Sequence, residues 1–115
     1  MAHDLEHLRQ VCSALGEATR WQILGRIAGA ELSASTLAAT VPVSRQAIAK
    51  HLAALDAAGL VSSRRVGREL RYSARADVLS EASRHLGEIA EAWAHRTPDA
   101  AEELRTSNES QTPRR

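Results

Sequence analysis

A helical run bounded by a proline and a glycine limits the folds open to this chain more than any other segment. Its sequence, residues 43–61, is VSRQAIAKHLAALDAAGLV. Pro42 lies just before it and ends whatever helix precedes, Ser44 can cap the new helix, and Gly59 can adopt the left-handed conformation that terminates it. These signals predict a helix that begins near Ser44 and ends at Gly59.

The two faces of this predicted helix differ in character. Ile48, Leu52 and Leu55 recur at steps of four and three, so they form one apolar stripe. Such a helix buries one side in its own domain and presents the other side to a partner. The opposite side of its first turns carries Arg45, Gln46, Ala49 and Lys50.

Three further helical patterns precede this run. The first covers residues 4–15 with Asp4 as its expected cap, the second covers residues 17–30 and is expected to stop at Gly29, and the third is a short helix capped by Ser33. The side chains expected on their apolar stripes are Leu5, Leu8, Val11, Cys12, Leu15, Trp21, Leu24, Ile27, Ala28 and Leu37.

The pattern changes after Gly59. The segments LVSSRRV and LRYSA, separated by GRE, predict two short strands joined by a hairpin. A three-residue and a four-residue loop would exchange which of Arg64 and Arg65 faces water, so the register stays open. A last helix is expected from Asp77 to about residue 96. Residues 1–97 are expected to form one domain, and residues 98–115 a disordered tail.

Composition supports a mainly α fold with a small β-hairpin, an α+β arrangement. Hydrophobic residues make up 43% of the chain and include two Trp, one Tyr and no Phe, with Ala and Leu prominent among the rest. The single cysteine, Cys12, fits a reducing compartment. The chain has no apolar run long enough to span a bilayer, so we expect a cytoplasmic protein without a membrane partner.

Positive charge is concentrated in one part of the chain. Residues 44–75 contain seven arginine and lysine side chains against two acidic ones, although the formal net charge of the whole chain is +1. A local basic patch on a nearly neutral protein is typical of a surface that binds nucleic acid. Double-stranded DNA is therefore the expected partner.

The predicted helix has the residue types needed to read DNA bases. An α-helix fits the major groove, and its N-terminal residues come closest to the base edges. Arg45 can pair with guanine and Gln46 with adenine, each through two hydrogen bonds, while Lys50 and His51 are placed to reach phosphates. The residues expected to face DNA from this helix are Ser44, Arg45, Gln46, Ala49, Lys50 and His51.

The predicted hairpin offers a second contact with DNA. Arg64, Arg68 and Arg71 form a cationic arm, and Gly67 permits a tight tip. Such an arm can lie along the phosphate backbone or enter the minor groove. We expect the hairpin to supply affinity and the helix to supply sequence preference.

These segments resemble the arsenical-resistance-repressor (ArsR) family of winged-helix regulators. The resemblance rests on ALGEATRWQIL, on ELSASTLAATVPVSRQAIAKHLAALDAAGLVSSRRVGRELRYSA and on the helix that follows, so it covers roughly residues 10–95. It implies a winged helix-turn-helix fold and a homodimeric DNA-binding transcription factor, usually a repressor. It also implies that Ser44, Arg45, Gln46, Lys50 and His51 match the recognition helix, and that Gly67 and Arg68 match the wing tip.

A homodimer would let two copies of the helix read both halves of an inverted repeat. The resemblance assigns the dimer interface to the first and last helices, and their apolar stripes exceed what one small domain needs. Trp21 and Trp93 are interpreted as core or interface anchors, and Cys12 as a small buried residue or, across the two-fold axis, a disulfide partner. The expected interface residues are Leu5, Leu8, Cys12, Leu15, Leu79, Leu86, Ile89 and Trp93.

Metal sensing is the first alternative to consider. Ser33 and Ser35 stand where metal-sensing relatives carry two cysteines, and serine hydroxyls are poor ligands for soft ions. The last helix offers the pairs His85/Glu88 and Glu91/His95, which could hold zinc between two protomers but do not reproduce the family's ligand spacing. We therefore expect neither a metal nor a cofactor, and the effector is unknown.

The sequence also bears on two other function classes. The sequence has no nucleophile with a partner base, no phosphate-binding glycine loop and no paired carboxylates in an apolar setting, so an enzyme is not expected. A winged-helix module that binds a protein is the remaining alternative. It would favour fewer arginines on the hairpin and an apolar exposed face on the helix.

Overall fold

The computed structural model describes the backbone of residues 2–96 and the side chains of residues 5–96. The predicted tail, residues 98–115, lies outside the described residues. The chain divides into a compact unit that ends at Ala82 and a second unit that begins at Ser83. The elements are α1 (Ala2–Ala14), α2 (Ala18–Gly29), β1 (Leu32–Ser33), α3 (Ala34–Thr40), α4 (Arg45–Ala57), β2 (Val61–Val66), β3 (Glu69–Ala74) and α5 (Ala76–Arg96).

Both serine caps are confirmed. The Ser33 hydroxyl accepts a hydrogen bond from the Thr36 N–H at 3.2 Å, and the Ser44 hydroxyl accepts one from the Ala47 N–H at 3.1 Å. Each satisfies a donor that the first helical turn leaves unpaired, a contribution of about 1 kcal/mol. The start of α4 is therefore fixed by its own sequence.

The end of α4 is also fixed locally. Gly59 has a φ of 79°, which a residue with a side chain rarely adopts. Its N–H donates to the Asp56 carbonyl, and the Leu60 N–H donates to the Leu55 carbonyl, both at 2.9 Å. This pair of bonds is a Schellman motif, and it turns the chain directly into β2.

A core within the first unit holds α4 in place. Ile48 and Leu55 are fully buried and Leu52 is 1% exposed, as the stripe predicts. They pack with other buried side chains from α1, α2 and α3. Burying each large aliphatic side chain contributes roughly 1.5–3 kcal/mol. The core also contains Leu8, Val11, Ile23, Leu24, Ile27, Leu37, Val41, Leu60 and Val61.

The strands form an antiparallel sheet in the order β1-β3-β2. Gly67 and Arg68 alone connect β2 to β3, and Gly67 has a φ of 65°. Both predicted loop lengths, three residues and four residues, are therefore wrong. In the observed register Arg64 lies opposite Arg71, so these two share one face, while Arg65 lies opposite Leu70 on the other.

Several local predictions are corrected. Helix α1 begins at Ala2, so Asp4 is inside the helix rather than its cap. Cys12 and Ala28 are exposed, and Trp21 is 51% exposed with its indole N–H donating to the Leu15 carbonyl at 2.9 Å. Ile23 takes the inward position expected of Trp21, because Ile23 lies four residues before Ile27 on the same face, whereas Trp21 lies six residues before Ile27 on another side of the helix.

Candidate nucleic-acid interface

The outer face of α4 is exposed and cationic. Arg45, Gln46, Ala49 and Lys50 are all exposed, because the buried stripe occupies the opposite side of the helix. No acidic side chain of residues 5–96 pairs with Arg45 or Lys50. Their charges are therefore available to a ligand outside the chain.

The hairpin arginines divide into paired and unpaired groups. Arg64 donates to both carboxylate oxygens of Glu31, at 2.6 and 2.7 Å, and Arg71 donates to Glu69 at 2.9 Å. The hydrogen bonds from Arg64 lower the pKa of the Glu31 carboxyl below its usual value. Within the described part of the chain, Arg68 at the tip and Arg65 have no such partner.

His51 does not lie on the outer face of α4. Its side chain is only 15% exposed and is turned toward α2. The His51 Nδ1 accepts a hydrogen bond from Arg20 Nε at 3.2 Å, and the His51 Nε2 lies 3.6 Å from Glu17 Oε2. The prediction that His51 reaches a phosphate is corrected, because one residue step turns the side chain about 100° from Lys50.

Arg20 and Glu17 are site residues that the sequence reasoning missed. Arg20 Nη1 also donates to the Ala14 carbonyl at 3.1 Å, and Glu17 caps α2 by accepting from the Thr19 N–H at 2.5 Å. Arg20 is 31 positions from His51, so no local spacing signals the pair.

The predicted dimer residues differ in exposure. Leu8 is 6% exposed and packs within its own chain, so it is unavailable to a partner. Leu15 and Ile89 are half-buried, and Cys12 is exposed. Among the predicted interface residues, the large apolar side chains that are exposed are Leu5 at 52%, Leu79 at 41%, Leu86 at 49% and Trp93 at 65%.

The histidine and glutamate pairs of α5 are partly engaged within the helix. Arg84 Nη1 donates to Glu88 at 2.8 Å, and His95 Nε2 lies 3.7 Å from Glu91 Oε2. Among the described side chains, no three His, Cys, Asp or Glu residues gather closely enough to hold a metal ion. No helix within residues 2–96 is long and apolar enough to cross a membrane.

Comparison with known proteins places this geometry in a family. A family model described as a helix-turn-helix domain matches residues 15–64. A solved ArsR-like transcriptional regulator from Rhodococcus sp. RHA1 is 47% identical, with 87% of this chain and 93% of that chain covered and a TM-score of 0.78. A second solved structure is a homodimeric winged helix-turn-helix DNA-binding domain from Mycobacterium bovis, described as a possible ArsR-family regulator. It is 27% identical, with 82% of this chain and 88% of that chain covered and a TM-score of 0.65.

A curated relative gives the same family name. It is a Halobacterium salinarum protein named as an arsenical resistance operon repressor, ArsR2, and is 45% identical over 69 residues. That match covers 58% of this chain and 55% of the relative, so the chain spans about half the relative's length. From the Rhodococcus similarity over most of both chains, and from the shared order of helices and hairpin, this chain belongs to the ArsR family of winged-helix transcriptional regulators.

Proposed function

We propose that this chain is a sequence-specific DNA-binding repressor that acts as a homodimer on an inverted repeat. The observation that carries the proposal is the outer face of α4. It is exposed and cationic, and its two charged side chains lack partners within residues 5–96, while a buried stripe holds the helix from behind. This arrangement suits insertion into a major groove.

The side chains on the outer face of α4 have different roles in DNA recognition. Arg45 and Gln46 lie in the first turn and pair with base edges, where two-bond contacts discriminate between bases by about 1–3 kcal/mol. Ala49 permits close approach, and Lys50 neutralises a phosphate. Ser44 contributes by capping the turn that carries Arg45.

The wing supplies backbone contacts. Arg68 is the principal cation, because it is exposed at the tip next to Gly67 and, like Arg65, has no acidic partner in the described residues. The Arg64 side chain is more exposed than that of Arg71, and both are already bound to carboxylates. A DNA phosphate therefore has to displace those hydrogen bonds before it can pair with either arginine. Their contribution to affinity is correspondingly smaller than that of Arg68.

Two copies of the chain associate through apolar side chains of α1 and α5. The Mycobacterium bovis relative is described as homodimeric, and the large exposed apolar residues here include Leu5 and Trp93. One recognition helix reads only a few base pairs, too few to define a site in a genome. The proposed interface residues are Leu5, Cys12, Leu15, Leu79, Leu86, Ile89 and Trp93.

Selection from random DNA tests the proposal. Duplexes retained by the protein should share an inverted repeat, and gel shifts with the selected duplex should weaken steeply as salt rises. Sedimentation at micromolar concentration should return a dimer. Failure to enrich any sequence, or binding of a selected protein partner instead, would overturn the DNA-binding proposal. A monomer in sedimentation would overturn the proposed pairing.

A further inference from the structure

We propose that Glu17, Arg20 and His51 form a latch that sets the orientation of α4, and that His51 thereby governs sequence preference without touching DNA. The proposal rests on the proposed function, because it assigns a positioning role within the same recognition helix. His51 is a positioning residue, and Arg20 is its anchor.

Arg20 connects the turn between α1 and α2 to the middle of α4 through hydrogen bonds. Its Nη1 donates to the carbonyl of Ala14, the last residue of α1, at 3.1 Å. Its Nε donates to His51 Nδ1 at 3.2 Å. One guanidinium therefore joins three helices, with the rigid fork geometry that an arginine side chain provides.

Glu17 faces the other nitrogen of the same ring. One carboxylate oxygen caps α2 through the Thr19 N–H, and the other lies 3.6 Å from His51 Nε2. The His51 side chain is 15% exposed, so water competes little with these interactions. Both ring nitrogens thus face groups from α2, which fixes the rotation of α4 about its buried stripe.

The latch requires an unprotonated Nδ1. A ring nitrogen that accepts from a guanidinium cannot also carry a proton, so the proton of the neutral ring lies on Nε2, which faces Glu17. Glu17 and Arg20, at the start of α2, are the charged groups that face the His51 ring. Helix α3 carries no charged side chain. His7 of α1 faces the other end of α4, where its Nε2 lies 3.1 Å from the Ala58 carbonyl.

The distance between the latch and the first turn of α4 means that a small rotation at the latch displaces the base-reading side chains. His51 lies six residues after Arg45, which is about 9 Å along the helix axis. A tilt of about ten degrees at the latch moves the first turn by roughly 1.5 Å, which is enough to break a two-bond contact with a base. Contacts with phosphates tolerate such a shift far better.

The test compares three variants of the full chain by the ratio of their affinities for the selected duplex and for a shuffled duplex. His51→Leu removes both nitrogens and should lower the ratio about tenfold, the effect of one mismatched base pair. His51→Asn keeps an acceptor near the Nδ1 position and should retain the ratio. Lys50→Met, the control, should weaken both duplexes alike. An unchanged ratio in His51→Leu, or equal losses in His51→Leu and His51→Asn, would overturn the proposal.

A variant of the partner residue provides an independent test. Arg20→Met removes the same hydrogen bond from α2, so it replaces His51→Leu if that variant does not fold, and an unchanged ratio in Arg20→Met also overturns the proposal.

A measurement without DNA distinguishes failure of the latch from failure of the proposed function. Residual dipolar couplings report the angle between α4 and α2 in the wild type and in His51→Leu. If the wild type prefers no DNA sequence, the proposed function fails, and the couplings decide the latch alone. A changed angle supports it, and an unchanged angle overturns it.

Discussion

The outer face of α4 carries two basic side chains and the β2–β3 hairpin carries four, but the two regions differ in how many of these charges are paired within the chain. Arg45 and Lys50 on α4 have no acidic partner in the described residues, whereas Arg64 and Arg71 on the hairpin are held by Glu31 and Glu69. Counting charges along the sequence therefore overstates how much of the hairpin is available to DNA. Availability depends on internal pairing as well as on net charge.

The largest expected effect follows removal of a base-reading side chain on the available face. Arg45→Ala should cost about 1–3 kcal/mol per half-site on the selected duplex and relax the preference at one base position. Gel-shift titrations with duplexes varied at each position measure both. Arg26→Ala, which removes an exposed arginine from the last turn of α2, is the charge-matched control. Equal effects of the two substitutions would show that Arg45 contributes only general positive charge and does not read a base.

Removal of the unpaired cation at the tip of the hairpin should have the next largest effect. Arg68→Ala should weaken binding to all sequences nearly alike and reduce the slope of log affinity against log salt by about one per protomer. Titrations at several salt concentrations, with selected and shuffled duplexes, measure this. A change in base preference in this variant would show that the wing also reads sequence.

Release of a paired hairpin arginine should have a smaller effect of opposite sign. Glu31→Gln removes the negative charge from Arg64 and should strengthen binding to every sequence, with a steeper salt dependence. The gain should be smaller than the loss in Arg68→Ala, because the amide oxygen still accepts one hydrogen bond. Weaker binding in Glu31→Gln would mean that Glu31 positions Arg64 for DNA rather than competing with it.

The smallest expected effect is on stability against pH. The pKa of Glu31 is lowered in the folded chain, chiefly by its hydrogen bonds to Arg64. The pair therefore stabilises the fold above the ordinary glutamate pKa of about 4.3, and this contribution is lost as the pH falls through the lower folded value. The small difference in Tm between wild type and Glu31→Gln at neutral pH should vanish in strong acid. Glu81→Gln, which alters an exposed residue of α5, is the control, and a difference that grew on acidification would contradict the assignment.

Local signals in the sequence predicted much of α4 and less of its surroundings. The stripe of Ile48, Leu52 and Leu55, the cap at Ser44 and the stop at Gly59 all act within a few residues, so they are readable from spacing alone. The partners of His51 and Arg64 lie more than thirty positions away, and no spacing rule predicts which charges meet across a fold.

Short elements escaped prediction for a related reason. The strand β1 has two residues, Leu32 and Ser33, which is too few to show an alternating pattern, and it exists because β3 offers an edge to pair with. The turn at Gly67 and Arg68 was placed correctly but given the wrong length. Side-chain alternation could not resolve it, because polar residues occupy both faces of β2.

The left-handed turn at Gly59 leaves three residues between the last residue of α4 and the first of β2. Leu60 is 2% exposed, and its carbonyl accepts from the Arg75 N–H at 2.8 Å, which clamps the base of the hairpin. Because this connection is so short, we expect α4 and the hairpin to move together when the chain binds a duplex. A distortion of the double helix beneath the tip of the hairpin should therefore be transmitted to the N-terminal end of α4, where the base-reading side chains begin.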